Sequence, residues 1–223
     1  MQPIYLLADS QILFWRDEGR LFLDSIRQLL PHRAPKAAYI GASNGDAPEF
    51  FEIFVAAMKG AGITDCRMIL SSFSDHDAQY LAQADLILLA GGDVELGWQT
   101  FVRSGMTEAI TARVRQGAVL IGVSAGAVQC GRFGWTEKAA SSRELFDTFA
   151  LVPFLIGVHG EREGWQDVVQ ILELLDTESV EALGIPSGGG AIYRPDNTVE
   201  PIRYRVERFK AAENGMPKNV LLL

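Results

Sequence analysis

Gly122-Val-Ser-Ala-Gly126 is a Gly-x-Ser-x-Gly segment, and the chemistry it offers is attack by the Ser124 hydroxyl on an acyl carbon. That chemistry needs a sharp strand-to-helix turn that pushes the serine outward. Glycines two residues to either side keep the neighbouring chain from colliding there. Gly41-Ala-Ser-Asn-Gly45 fits the same pattern, so the pattern alone does not name the serine. Context separates the two. Ala125, Gly126, Ala127 and Val128 can enter a helix directly after Ser124, which sets the serine at a helix N-terminus where free N–H groups favour developing negative charge. After Ser43 the helix waits for Asp46 and Pro48, which leaves Ser43 and Asn44 in a loop suited to lining a pocket. Two readings of Ser124 stay open, a nucleophile and a tightly packed turn serine.

A serine nucleophile needs a base, and the chain has three histidines. His32 lies in the polar Pro31–Pro35 connection and His76 at the Ser74–Asp77 helix start, both solvated positions. His159 ends the apolar Phe149–Val158 run and precedes Gly160, where an extended segment delivers a side chain to a site. It reads as the base or as a structural histidine. Gly91-Gly92, after Leu86–Ala90, allows backbone N–H groups to approach an oxyanion and to complement the Ala125 N–H. No His-Glu-x-x-His segment, no Cys/His cluster and no phosphate-binding glycine loop occurs, so neither a metal nor a nucleotide cofactor is expected.

The elements that must hold these residues follow from hydrophobic patterning. Pro3–Ala8, Ala37–Ala42, Leu86–Ala90 and Ala118–Val123 are continuous apolar runs, as strands buried on both faces should be; Cys66–Leu70 is weaker. Between them, Phe50, Ile53, Phe54, Ala57 and Met58 form a helical stripe, with Asp46 and Glu49 as a capping box. Met106, Ala109, Ile110 and Val114 form a second stripe, and Trp165, Val168, Val169 and Leu172 a third. This alternation predicts a three-layer α/β fold, a mostly parallel sheet with helices on both faces. Ala182–Ile185, Ala191–Tyr193 and Val199–Val206 read as extra C-terminal strands joined by turns at Pro186–Gly190 and Pro195–Asn197. No linker or repeat interrupts residues 1–223, which predicts a single domain. Ligands of such sheets bind beyond the strand carboxyl ends. Asp9-Ser10, Ser43–Asp46, Gly91-Gly92-Asp93 and Ser124–Gly126 stand there.

Composition narrows the partners. The formal charge of −8 argues against nucleic acid, and no apolar run reaches the ~18 residues of a membrane span. The N-terminus lacks the basic region of a signal peptide, and Cys66 and Cys130 form no paired motif, which together predict a cytoplasmic protein.

Leu89-Ala-Gly-Gly-Asp93, Ile121-Gly-Val-Ser-Ala-Gly-Ala127 and His159 together resemble the peptidase E and cyanophycinase family of serine peptidases. The resemblance runs from Ala38–Asp46 to Gly184–Gly188. It implies a fold similar to class I glutamine amidotransferases (flavodoxin-like), with Ser124 as nucleophile, His159 as general base and the Gly92 and Ala125 N–H groups as oxyanion hole. The elbow of amidotransferases carries Cys; here it carries Ser124, and Cys130 reads as a core thiol. The family's acid falls nearest Glu137, with Asp147 and Glu161 as alternatives. The implied reaction is hydrolysis of small peptides through an acyl-enzyme, in the manner of a dipeptidase, with an acidic or aspartyl N-terminal residue as one candidate. Gly91, Asp93, Ser43, Asn44 and Arg162 are the expected substrate contacts, with Arg162 clamping a carboxylate and Arg132 as a second cation. Relatives carry several arginines after the histidine; this chain has Arg162 between two glutamates, and Trp165 where they carry charge. The alternative is a family member without peptidase activity that binds peptides or small molecules. A small peptide is the expected partner, without nucleic acid or membrane, for a monomer or homodimer.

Overall fold

The computed structural model describes residues 1–31, 34–137, 143–175, 180–210 and 218–222, with Glu137 and 218–222 described by backbone alone. His32 therefore lies outside the described residues. Strand β1 (Ile4–Leu7) leads through a 3₁₀ turn at Ser10–Phe14 and a small hairpin, β2 (Arg16–Asp17) and β3 (Arg20–Leu21), into α1 (Phe22–Arg27). There follow β4 (Lys36–Ile40), α2 (Pro48–Gly60), β5 (Asp65–Ile69), α3 (Asp75–Leu81), β6 (Leu86–Leu89), α4 (Val94–Ser104) and α5 (Met106–Arg115). Next come β7 (Val119–Val123), α6 (Ala125–Cys130), the hairpin β8 (Phe133–Glu137) and β9 (Arg143–Asp147), then β10 (Phe154–Val158) and α7 (Gln166–Leu175). The C-terminal part holds β11 (Glu181–Ile185), β12 (Gly190–Tyr193), β13 (Val199–Ile202), β14 (Glu207–Lys210) and β15 (Lys218–Leu222).

The main sheet has the order β13-β12-β1-β7-β6-β4-β5. Its five strands from β1 to β5 run parallel, and β12 and β13 add an antiparallel edge. Successive side chains of a strand point to opposite faces, and both faces are covered. Ile4, Leu6, Ala38, Ile40, Ile87 and Leu89 pack on one side with residues of α3 to α6. Tyr5, Leu7, Ala37, Tyr39, Leu86 and Leu88 pack on the other with α1 and α2. That is why these strands are apolar at every position rather than at alternate ones.

Two local expectations need correcting. The capping box at α2 does not form, because Pro48 starts the helix at its first position and makes Ala47 the N-cap. Asp46 instead accepts the Ser71 N–H at 2.8 Å, tying the loop after β4 to the end of β5. The C-terminal strands, in turn, divide between two sheets. β12 and β13 join the main sheet, whereas β10, β11, β14 and β15 form a second one. Its underside is a separate apolar cluster that includes Leu155, Trp165, Ile171, Leu172 and Phe209.

The crossing between the sheets is the turn 186–189, and it fastens to both. Ala8 N–H donates to Gly189 O at 3.0 Å and Gly188 N–H to Asp9 Oδ2 at 2.6 Å, while His159 N–H donates to Ile185 O at 3.2 Å. The carboxyl ends of β1 and β10 are thereby held on either side of one short turn.

Candidate active site

Ser124 sits between β7 and α6 at φ 50° and ψ −111°, a backbone region that a side chain rarely occupies. The glycines around it are steric requirements. A Cβ on Gly122 would lie 2.5 Å from Gly126 O, and one on Gly126 would lie 2.2 Å from Leu89 O in the adjacent strand. The elbow is pinned on its other side by Ser124 N–H, which donates to Leu7 O at 2.8 Å. This geometry turns the half-buried hydroxyl to the carboxyl edge of the sheet. The N–H of Ala125, first in α6, has no carbonyl within the helix to meet.

Gly91 and Gly92 come against this elbow. A Cβ on Gly91 would lie 3.2 Å from Ser124 Cβ, and Gly92, at φ 137°, would push one to 2.0 Å from Ser43 O. Neither glycine gives its N–H to a partner among the described residues. Asn44 fixes the turn: its Nδ2 donates to Gly91 O at 3.2 Å and to the Tyr39 hydroxyl at 3.0 Å. Burial pushes the Tyr39 phenol up, Asn44 offsets part of this, and Asp46 and Glu49 add to it, so Tyr39 presents a neutral hydroxyl.

Ser43 and Asp93, the other expected substrate contacts on these loops, are engaged within the protein and are not among the cavity's lining residues. Ser43 is 3% exposed, its Oγ accepts a hydrogen bond from Gln129 Nε2 at 3.0 Å, and its carbonyl accepts Asp93 N–H at 2.7 Å. Asp93 caps α4, its Oδ1 accepting Leu96 N–H at 2.8 Å. Ser43 is thus buried behind Gly92, whereas Asp93 is exposed.

His159 follows β10 at φ 63°, a left-handed residue that ends the strand and turns the ring across the sheet edge. Its Nδ1 lies 3.1 Å from Ser187 Oγ in the inter-sheet turn. Behind Ser187 stands Glu161, whose Oε1 accepts the Ser187 N–H at 3.3 Å. Burial pushes the Glu161 carboxyl up, but hydrogen bonds from the Ser187 hydroxyl and from backbone N–H groups, with the charge on His159, hold it below the usual carboxylate range. Trp165 does not reach the site. Its ring packs under the loop, close enough that a Cβ on Gly160 or Gly184 would fall within 2.7 or 2.8 Å of it. Glu137 ends β8 opposite Arg143, whose guanidinium reaches Asp167 and Gln170 of α7; the Glu137 side chain lies outside the described residues. Asp147 is exposed at the far end of that hairpin, opposite Phe133.

Ser124, His159, Gly91, Gly92 and Asn44 share the wall of one cavity of about 300 Å³. Arg162 and Arg132 do not line it. Arg162 is exposed on the loop after His159, and Arg132 lies over the Phe133 ring at 5.2 Å. Cys130 is fully buried in the core at the end of α6, where burial pushes its thiol up and removes it from chemistry.

The profile of peptidase family S51 matches residues 4–200. The chain belongs to peptidase family S51. It is a serine peptidase by that membership, and no helix among its described residues is long and apolar enough to cross a membrane. Two solved structures share the fold. A peptidase from an acI-B1 Actinobacterium is 15% identical, with TM-score 0.71 over 100% of this chain and 95% of that one. A putative peptidase E protein from Listeria monocytogenes EGD-e is 18% identical, with TM-score 0.62 over 91% and 98%. No curated protein sequence matches the chain. Within this S51 site, Ser187 is the residue that motif reasoning passed over, since a serine in a Pro-Ser-Gly turn has no signature beyond the turn itself.

Proposed function

We propose that this S51 peptidase hydrolyses small peptides in the cytoplasm through an acyl-enzyme on Ser124, with His159 as general base. The observation that carries the reading is the strained Ser124 elbow on the same cavity wall as His159. Nδ1 of His159 is engaged by Ser187, so Nε2 is the ring nitrogen left to act on Ser124 in this reading. In the first half-reaction, Nε2 takes the Ser124 hydroxyl proton as Oγ bonds to the substrate carbonyl carbon. The carbonyl oxygen gains the negative charge and is met by the Gly92 and Ala125 N–H groups. Collapse breaks the C–N bond, and the imidazolium gives its proton to the departing amine. Water then repeats the sequence and releases the acid. The unpaired thiols Cys66 and Cys130 suit a reducing compartment.

The acid in this reading is Glu161, acting through Ser187, rather than Glu137. Glu161 holds the Ser187 N–H and so sets the place of Ser187 Oγ, and a His159 Nδ1–H donated to that Oγ fixes the tautomer that presents Nε2 as a base. Glu161→Gln and Ser187→Ala should each lower kcat by about 100-fold, and the double variant should fall no further than the worse single one. Steady-state kinetics against Glu137→Gln decide the matter, because a larger loss in Glu137→Gln assigns the acid there instead. The pH profile adds a sign. Glu161 is held below the usual carboxylate range, so its negative charge persists as pH falls through the range where free carboxylates protonate. Wild type therefore keeps the contribution of the Glu161 charge to kcat/KM at acidic pH until that depressed range is reached, whereas Glu161→Gln lacks it at every pH.

A further inference from the structure

The cavity beside Ser124 is apolar over most of its wall. Leu13 from the turn after β1, Tyr39 and Leu88 from β4 and β6, and Phe54 from α2 line it, each at most 2% exposed. Phe50 and Ile53, on the same face of α2, also line it yet are 48% and 39% exposed, so two large apolar side chains stand uncovered at its mouth. No Lys or Arg contributes to the wall among the described residues, and the only acidic wall residue is Asp9. Asp9 is held from behind by two backbone donors, Gln11 N–H on Oδ1 at 3.0 Å and Gly188 N–H on Oδ2 at 2.6 Å. Each carboxylate oxygen keeps a second lone pair for a ligand.

We propose, building on the serine peptidase reading above, that this cavity receives the side chain of the residue whose carbonyl Ser124 attacks. That side chain is large and apolar, aromatic or branched aliphatic, and the free α-amino group of the same residue pairs with Asp9. The substrate class is thus a small peptide with an apolar N-terminal residue. Apolar surface leaves water to cover Phe50, Ile53 and the rings beneath them, which is favourable in proportion to the area covered. A substrate carboxylate in the same place would lose its hydration with no cation to replace it, and would meet Asp9 as a like charge. The overall charge of −8 adds to that repulsion.

The test uses the full chain and diphenyl α-aminoalkylphosphonates bearing Phe, Leu, Asp or Lys side chains. Ser124 Oγ bonds to phosphorus, phenoxide leaves with the serine proton, and the adduct is read by intact mass. The Phe and Leu reagents should label Ser124 at least about 100-fold faster than the Asp and Lys reagents. N-acetylation of the Phe reagent should slow labelling about 10-fold, and this difference should vanish in Asp9→Asn. Ile53→Arg, at an exposed position, should narrow the Phe-to-Asp ratio by about 10-fold. Equal or faster labelling by the Asp or Lys reagent overturns the apolar assignment. An acetylated reagent that labels as fast as the free amine overturns the role of Asp9, and an unchanged ratio in Ile53→Arg removes α2 from the pocket. If a fluorophosphonate labels Ser124 and none of the four reagents does, the substrate class falls while the peptidase reading stands. If nothing labels Ser124, both fall.

Discussion

Ser124→Ala should lower peptide turnover by at least about 10⁴-fold while the melting temperature stays within a degree or two of wild type. In the proposed mechanism the activity loss follows from removing the atom that forms the acyl bond, and what remains is background from the proposed oxyanion donors and binding. The stability result is less obvious. The residue stands at φ 50° and ψ −111°, so alanine inherits the strain and gains none of the relief. Ser124→Gly supplies that relief, since glycine adopts positive φ without a Cβ clash. It should be as inactive as the alanine variant yet more stable, by about 1 kcal/mol, which for a chain of this size raises the melting temperature by about 2–4 °C. Calorimetry of the three proteins separates the cost of the elbow from its chemistry, because strain held at a functional residue is returned as stability when the function is removed.

Gly126→Ala has the opposite character. Its added Cβ would lie 2.2 Å from Leu89 O and 2.7 Å from Leu89 C, which are backbone atoms of a central strand buried on both faces. A flexible side chain could turn away; a strand hydrogen-bonded on both sides cannot. Helix α6 must therefore lift from β6 and carry the elbow with it. The expected cost is about 3 kcal/mol, or about 6–12 °C in melting temperature, with activity falling in the fraction that remains folded. Gly60→Ala is the control. It lies at the last position of α2 with ordinary contact to Leu21 Cδ2 at 3.6 Å, so alanine there should be neutral or stabilising by up to about 1 kcal/mol. Equal destabilisation of the two variants in denaturant titrations would contradict the steric account of the Gly-x-Ser-x-Gly pattern.

Much of the main sheet could be read in advance because β1, β4, β6 and β7 are covered on both faces, which makes each an unbroken apolar run. The elbow was legible for a local reason, since Gly122 is required by contact with Gly126 four residues on, whereas the contact that requires Gly126, with Leu89 of the neighbouring strand, could not be read from the segment itself. The C-terminal strands were visible as strands but not as members of two sheets. Alternation shows that a segment is extended, and says nothing about which strand it pairs with. The stripe Phe50, Ile53, Phe54, Ala57, Met58 was likewise correct as one face of a helix. Periodicity alone cannot distinguish the inner part of that face, which packs on Tyr39, from Phe50 and Ile53, which it leaves at an open cavity. Ser187 and Glu161 were hardest to connect, since the hydrogen bond between them joins residues 26 apart across a turn that links two sheets.

The most direct measurement is intact-mass analysis of the full chain after treatment with a fluorophosphonate, on wild type, Ser124→Ala and His159→Gln. One adduct per chain, located on Ser124, absent from Ser124→Ala and formed at least about 100-fold more slowly in His159→Gln, is the expected result. Peptide hydrolysis that continues with Ser124 unlabelled, or inactivation through an adduct elsewhere, contradicts the assignment of Ser124 as the nucleophile.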